Sequence, residues 1–395
     1  MKVLILTVRG LRADSLGCYG NDWIDTPHLD KLAAESVVFD EHYADQPDSE
    51  GAFRAWQTGA LRSLTLPARL DLLVALANAR VETRLIGDAG AWPPVHFAGG
   101  FKKTLRVPRG STPGASLEPI LEAARKAIVS LNRRSQALLW VDVPALLPPW
   151  EVPDEFLDLY FVGESDEDED SEESLLSWDG DAPATVAPED EATVLRLQRT
   201  YAAAVSQVDA QVGQLLEAMR EKGTLQDWMA VITSPFSFSL GDHGIVGAHR
   251  PWLHEELLHL PLLLHLPGDE AAGLRVSGLT QCVDLPATVL DAMELPVPTM
   301  HGQSLLPLCR GQRESAHTEI HSALRSNEAE EWAVRSKEWS FLLPVRIPEG
   351  DSSRGPQLFV KPDDRHEVNN VVQHNLELAE TMEQNLRARN ESTLE

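Results

Sequence analysis

Short strand-like runs alternate with longer amphipathic segments along most of this chain. The runs Lys2–Val8, 81–86, Ala137–Val143 and Trp228–Thr233 have the length and the apolar content of buried strands. Between them, residues 192–222 repeat apolar side chains at helical spacing. This alternation predicts an α/β fold with a mostly parallel sheet that is covered by helices on both faces. In such sheets, functional residues lie in the loops that follow the carboxyl ends of the strands.

The last part of the chain has a different pattern. Four segments have the character of short strands at close spacing, namely 318–322, 333–335, 339–344 and Gln357–Val360. They predict a small antiparallel sheet, and residues 376–387 follow it as a helix. We therefore predict an α/β domain over residues 1–310 and a small C-terminal α+β subdomain over residues 311–395.

The chain is strongly acidic, with 61 Asp and Glu against 34 Lys and Arg and a net charge of −27. Because this charge repels nucleic acid and anionic membranes, we expect neither as a partner. Part of the excess is an acidic insert at about residues 163–191, which we expect to be disordered and solvated. No signal peptide, membrane-spanning run or disulfide framework is recognised, so a cytoplasmic location is expected.

Several short motifs occur in one order along the chain. They are LRADSLGCYGN at 11–21, TPHLDKLAAE at 26–35, GDHGIVG at 241–247, DLPATVLD at 284–291, HGQSLLP at 301–307 and DDRHEVNN at 363–370. Each motif is weak alone, but their common order resembles the sulfatase family of the alkaline-phosphatase-like superfamily. This resemblance implies an alkaline-phosphatase-like sheet that is sandwiched by helices, with a small C-terminal antiparallel sheet and a helix.

Sulfatases hold a calcium-type ion with oxygen ligands that follow two strands, and this ion neutralises the charge of the sulfate ester. The resemblance places Arg9 and Gly10 where the family has two adjacent aspartates. It places Pro235 and Phe236 where the family has aspartate followed by histidine or asparagine. We interpret these as vestigial metal positions and expect no metal or other cofactor. An alternative register offers Asp242 and His243 as a ligand pair for calcium.

The family's nucleophile is a cysteine or serine in a C/S-x-P-S-R motif and is converted to formylglycine. The resemblance places Ser49 at that position, but the motif here reads SEGAF, and Arg54 lies one place beyond the expected arginine. Ser49 is a candidate nucleophile or, alternatively, a serine that caps the following helix. Arg54 and His249 are the other candidate catalytic residues, and a structural or surface role stays open for His249.

Two hypotheses follow from these residues. The first is a catalytically inactive sulfatase-like protein, a pseudoenzyme that keeps the fold to bind an unidentified small molecule or protein. The alternative is a sulfuric ester hydrolase with a rearranged active site, built from the candidate catalytic residues and the alternative metal pair. A structure in which Arg9 fills the family's metal site would favour the first hypothesis, and convergence of Ser49, Asp242 and His243 would favour the second.

Overall fold

A central eight-stranded sheet organises the computed structural model, which describes residues 1–62, 71–161, 177–178, 186, 190–247, 252–348 and 354–391. The strands, numbered along the chain, are β1 (Lys2–Val8), β2 (Val37–Phe39), β3 (His42–Tyr43), β4 (Glu82–Asp88), β5 (Lys103–Val107), β6 (Ala137–Val143), β7 (Trp228–Thr233), β8 (Ser239–Leu240), β9 (Val246–Gly247), β10 (Leu262–His265), β11 (Arg275–Val276), β12 (Thr280–Gln281), β13 (Glu319–Arg325), β14 (Glu330–Ser336), β15 (Trp339–Arg346) and β16 (Gln357–Val360). The α-helices are α1 (Pro27–Ala34), α2 (Ser49–Thr58), α3 (Leu72–Asn78), α4 (Val95–Ala98), α5 (Leu117–Leu131), α6 (Asp154–Phe161), α7 (Glu191–Glu221), α8 (Glu255–Leu258), α9 (Asp284–Ala292), α10 (Leu306–Cys309) and α11 (Leu376–Glu391).

The spatial order of the central strands is β11-β2-β10-β7-β1-β6-β4-β5. Neighbours are parallel except at β10, which is antiparallel to both β2 and β7. This confirms the predicted mostly parallel sheet, and the bounds of β1, β6 and β7 are the predicted ones. The sequence patterns did not predict the edge strands β5 and β11. Four of the five residues of β5 are exposed, so it lacks the apolar run that marks a buried strand.

Successive residues of β1 pack on opposite faces of the sheet. Leu4, Leu6 and Val8 join a core that includes α1, α5 and α7, whereas Val3 and Ile5 join a core that includes α2, α3 and α9. Burial of each such side chain contributes about 1.5–3 kcal/mol. Because helices cover both faces, polar side chains that belong to a site are displaced to the strand ends.

The longest helix of the described chain, α7, begins one residue before its predicted start. Asp190 caps it, since its side chain accepts a hydrogen bond from the Thr193 amide. Neither α7 nor any other helix of the described residues is long and apolar enough to cross a bilayer. The expected disorder of the acidic insert concerns residues that, apart from 177–178, 186 and 190–191, lie outside the described ones.

The strands β13 to β16 form a separate antiparallel sheet in chain order. One face packs on α11, with Phe341 and Leu386 in the same core. The other face packs on the segments around β3 and α8, where Tyr43 and Leu258 meet Phe359. This confirms the small C-terminal antiparallel sheet and its helix, and the boundary between residues 310 and 311 stays a prediction.

Candidate functional site

Arg9 follows β1 directly, and its guanidinium is tied to β6. Its Nε and Nη2 atoms donate hydrogen bonds to Asp142 Oδ2 at 2.9 and 2.6 Å. The other oxygen of this carboxylate accepts a bond from Thr7 Oγ1 at 2.8 Å. Arg9 is 7% exposed and Asp142 is fully buried, and Arg9 Cζ lies 5.5 Å from the centre of the Phe53 ring. The first vestigial metal position therefore holds a buried cation with its own carboxylate partner.

Gly10 and Phe236 are joined through their backbones. The Gly10 amide donates to the Phe236 carbonyl at 3.2 Å, and Ser234 Oγ donates to the same carbonyl at 2.6 Å. The Gly10 carbonyl accepts a bond from the Tyr201 hydroxyl at 2.8 Å. Gly10 has a φ of +82°, and a Cβ here would lie 3.0 Å from the Leu146 carbonyl oxygen. The backbone at Gly10 therefore favours glycine, and an aspartate at this position would be strained.

The vestigial positions do not fit a calcium ion. Calcium takes about six to eight oxygen ligands in proteins, whereas these positions present a guanidinium, a glycine and the side chains of Pro235 and Phe236. Both of the latter residues are buried, and Phe236 belongs to the core. The carboxylate of Asp142 is already paired with Arg9. Across the described residues, no group of three or more His, Cys, Asp or Glu side chains is arranged to hold a metal ion.

Ser49, the candidate nucleophile, is the first residue of α2. The side chain of Asp48 caps this helix by accepting a bond from the Gly51 amide at 2.7 Å, so the interpretation of Ser49 as the cap is wrong by one residue. Phe53 lies one turn after Ser49 on the same face of α2, and its ring contacts Arg9. Ser49 therefore lies on the helix face that is turned toward the Arg9–Asp142 pair.

Arg54, the second candidate catalytic residue, holds the segments on either side of α2. Its Nη2 donates to Asp45 Oδ2 at 2.7 Å, and its Nη1 donates to the Ala60 carbonyl at 2.8 Å. These bonds use the guanidinium within the protein, and they give Arg54 a structural role. His249, the third candidate, falls at residues 248–251, which lie outside the described residues.

Asp242, the first member of the alternative metal pair, is bound by Arg12. Its Oδ2 accepts a bond from Arg12 Nη1 at 2.7 Å, and Arg12 also donates to Asp14 at 2.7 and 2.5 Å. Burial would raise the pKa of Asp242, but the Arg12 guanidinium beside it holds that pKa well below its usual range. Asp242 is therefore an ionised carboxylate whose charge is balanced by an arginine.

His243, the second member of that pair, has the properties of a cation. Its Nδ1 lies 3.0 Å from Glu256 Oε1, and its Nε2 lies 3.2 Å from the Glu367 carbonyl oxygen. Both partners are acceptors, and both ring nitrogens donate to them when the imidazole is protonated. The hydrogen bond to Glu256 raises the pKa of His243 to about 8. The protonated imidazole has no lone pair for a metal, and Asp242 is paired with Arg12, so in this arrangement neither side chain is free to bind calcium.

Asp242 and His243 line a cavity of about 410 Å³ beyond the carboxyl ends of β1 and β7. Arg12 and Asp14 contribute to the same walls. Among the described residues that line it, none belongs to the vestigial metal positions, so the structure places the candidates in two locations. The sequence did not predict Arg12 or Asp14 as site residues, although both belong to the LRADSLGCYGN motif that follows β1.

Curated relatives and solved structures resemble this chain to different extents. Arylsulfatase K of Bos taurus is 28% identical over 213 residues, which are 50% of this chain and 37% of the bovine protein. An N-acetylglucosamine-6-O-sulfatase of Bacteroides thetaiotaomicron is 33% identical over 115 residues, which are 29% of this chain and 20% of that enzyme. The matches therefore span well under half the length of these relatives.

Solved structures share the fold over nearly all of the chain. A structure in complex with its substrate D-glucosamine-2-N,6-O-disulfate matches with a TM-score of 0.76 and 18% identity, covering 99% of this chain and 98% of the other. The phosphonate monoester hydrolase of Agrobacterium radiobacter matches with a TM-score of 0.75 and 20% identity, covering 98% and 96%. At such low identity, these matches show the fold alone.

Two family models match the sequence itself. A model for the C-terminal region of N-sulphoglucosamine sulphohydrolase matches residues 241–392, which include the C-terminal sheet. The sulfatase family model matches residues 2–295, which include every strand of the central sheet as well as Arg9, Gly10, Pro235 and Phe236. The chain therefore belongs to the sulfatase family.

Proposed function

We propose that this chain is a catalytically inactive member of the sulfatase family that keeps the fold in order to bind a small molecule or a protein. The observation that carries the proposal is the buried Arg9–Asp142 ion pair directly after β1. Displacing Arg9 would separate two buried charges, and breaking such a pair costs about 3–5 kcal/mol. A divalent cation beside Arg9 would meet a like charge in a poorly screened environment.

The groups that would stabilise a reacting sulfate ester are replaced as well. Such a site needs preorganised positive charge where negative charge develops. Arg9 carries a positive charge, but Asp142 balances it. The resemblance places Asp88, at the end of β4, where the family has a lysine, and Asp88 is a buried carboxylate whose Oδ1 accepts bonds from the Gly90 and Ala91 amides. A carboxylate in this position disfavours an anionic substrate.

The alternative, a sulfuric ester hydrolase with a rearranged site, draws support from two observations. Relatives in the family are named as sulfatases, and the cavity beside Asp242 holds polar groups at the carboxyl edge of the sheet. Calcium would be its cofactor, with Asp242 as one ligand. This would require Asp242 to leave Arg12 and His243 to lose a proton that two acceptors hold.

Metal content separates the two functions without a guess about the substrate. The purified chain is incubated with calcium and dialysed, and the bound metal is measured by elemental analysis, with the Asp242→Asn variant in parallel. We expect no stoichiometric calcium in either protein and no hydrolysis of an aryl sulfate. One tightly held calcium per chain would refute the proposal, and its loss in Asp242→Asn would assign it to the alternative site.

A further inference from the structure

A groove of about 1320 Å³ separates the central sheet from the C-terminal sheet. It runs along the edge strand β11 and the residues on both sides of it, and the β14–β15 turn and the segment after β16 form its opposite wall. Pockets for small molecules typically measure about 300–1,000 Å³. The groove is larger than these, so it has room for a ligand that is larger than a typical small molecule.

The lining of this groove reverses the charge balance of the chain. Six cationic and four anionic side chains line it, namely Arg275, Arg313, Arg335, Lys337, Lys361 and Arg365 against Asp40, Glu41, Glu255 and Glu314. In the whole chain, 34 Lys and Arg stand against 61 Asp and Glu. An anionic partner that most of the surface repels would therefore be attracted here.

Charges at the inner end of the groove balance one another. Glu255 Oε2 lies 3.2 Å from Lys361 Nζ and 3.6 Å from Arg335 Nε, and the buried Glu367 Oε1 lies 3.4 and 3.1 Å from the same two side chains. Asp40 is likewise paired with Arg275. The charges of these groups are balanced within the protein, so they have little influence on whether the groove prefers an anionic or a cationic ligand.

The outer part of the groove carries a cationic rim, which consists of Arg313, Lys337 and Arg365. All three are exposed, and none forms a salt bridge with another described residue. Two lining carboxylates, Glu41 and Glu314, also lack a cationic partner among the described residues. Three cations less two carboxylates leave one net positive charge. The rim cations stand on both walls and can contact a ligand from two sides.

The floor of the groove is aliphatic and offers no free aromatic ring. Its apolar residues are Leu274, Val276, Leu279 and Leu308. The Tyr43 ring lies 5.7 Å from the Arg335 guanidinium and is 2% exposed, and Tyr19 is 8% exposed. Neither Phe nor Trp is among the described lining residues, and the His317 ring is bonded to the Asp284 carboxylate. A sugar would lack a ring to stack on, whereas apolar side chains of a peptide would find a matching surface.

We propose that this groove binds a peptide segment of a partner protein in which acidic and apolar residues alternate. The apolar side chains of the peptide pack on the aliphatic floor, and its carboxylates pair with the cationic rim. Burial of apolar surface supplies most of the affinity. The cationic rim favours a ligand of negative charge and speeds its association. The inference rests on the proposed binding role, although it uses none of the vestigial metal positions.

The test measures binding of a short fluorescein-labelled peptide that alternates glutamate with leucine, by fluorescence anisotropy with the full chain. The double variant Lys337→Glu with Arg365→Glu should weaken binding about tenfold, as expected for two reversed charges at an exposed rim. Arg133→Glu with Lys222→Glu applies the same charge change at the amino edge of the sheet, and it should leave the affinity unchanged. Melting curves establish that both variants are folded.

Several outcomes would overturn the inference. They are the absence of measurable binding, equal binding of a peptide that alternates lysine with leucine, and equal weakening by the two double variants. A heparin fragment whose binding alone responds to the Lys337 and Arg365 changes would assign the groove to an anionic glycan instead. Stoichiometric calcium would refute the inactive role and leave the peptide result standing, so the two failures are distinguishable.

Discussion

The Asp142→Asn variant should reveal how strongly the Arg9–Asp142 ion pair is built into the fold. Asparagine keeps the shape of the side chain and one acceptor oxygen, so the variant removes the charge and little else. Arg9 would then be a cation without a counter-ion, and its side chain is only 9% exposed. Breaking a buried pair in this way costs about 3–5 kcal/mol, and the limited exposure leaves little discount for solvent screening.

Urea unfolding measures this loss. With a slope of about 3 kcal/mol per molar urea, the midpoint should fall by about 1–1.7 M. Glu217→Gln is the matched control, because Glu217 pairs with Lys31 at 3.1 Å on the surface, where both side chains are about half exposed. Its midpoint should stay within experimental error of that of the unsubstituted chain.

A double variant distinguishes a lost charge from lost packing. Arg9→Met with Asp142→Leu removes both charges and should recover most of the stability that Asp142→Asn loses. If Asp142→Asn shifts the midpoint no more than Glu217→Gln does, the ion pair contributes no stability. The argument that Arg9 excludes a metal would then lose its physical basis.

Three further predictions concern calcium, the backbone at Gly10 and the imidazole of His243. Calcium should leave the melting temperature of the chain unchanged, and a rise of several degrees, which mass action would produce for a bound ion, would contradict this expectation. Gly10→Asp should lower the free energy of unfolding by about 1–3 kcal/mol without creating calcium affinity, because its Cβ would lie 3.0 Å from the Leu146 carbonyl oxygen. Gly223→Asp, at a positive φ with open space around it, should cost less in the same urea experiment. Because the pKa of His243 is raised from 6.5 to about 8, its contribution to stability is complete below pH 6.5 and is lost as the pH rises through 8. Over that range, the unsubstituted chain should lose about 1–2 kcal/mol relative to His243→Gln in urea unfolding, and an identical pH dependence would contradict the assignment.

Local sequence was most informative where burial is complete. The strands β1, β6 and β7 are covered on both faces, so their apolar runs mark their ends closely. It was least informative at the sheet edges. β5 exposes most of its residues, and β11 has only two. The antiparallel direction of β10 also leaves no mark in its own residues, because direction depends on the path of the chain between strands.

The residues of the candidate site could likewise be predicted only in part from the sequence. Motif order predicts Arg9, Gly10, Pro235 and Phe236 at the family's metal positions, and residue identity alone shows that they lack side-chain oxygen ligands. The same reasoning gave no partner for Arg9. Asp142 is that partner because the parallel register of β1 and β6 places Thr7 opposite Asp142, 135 residues along the chain.

By itself, the sequence determined the buried strands and the small C-terminal sheet, and it predicted which residues stand at the family's metal positions. These are properties of neighbours along the chain, where periodicity and identity can be read directly. Only the tertiary structure decided that Asp142 neutralises Arg9, that acceptors hold both nitrogens of His243, and that a cationic rim meets an aliphatic floor. Each of these contacts joins segments far apart in sequence, so strand order and register create it.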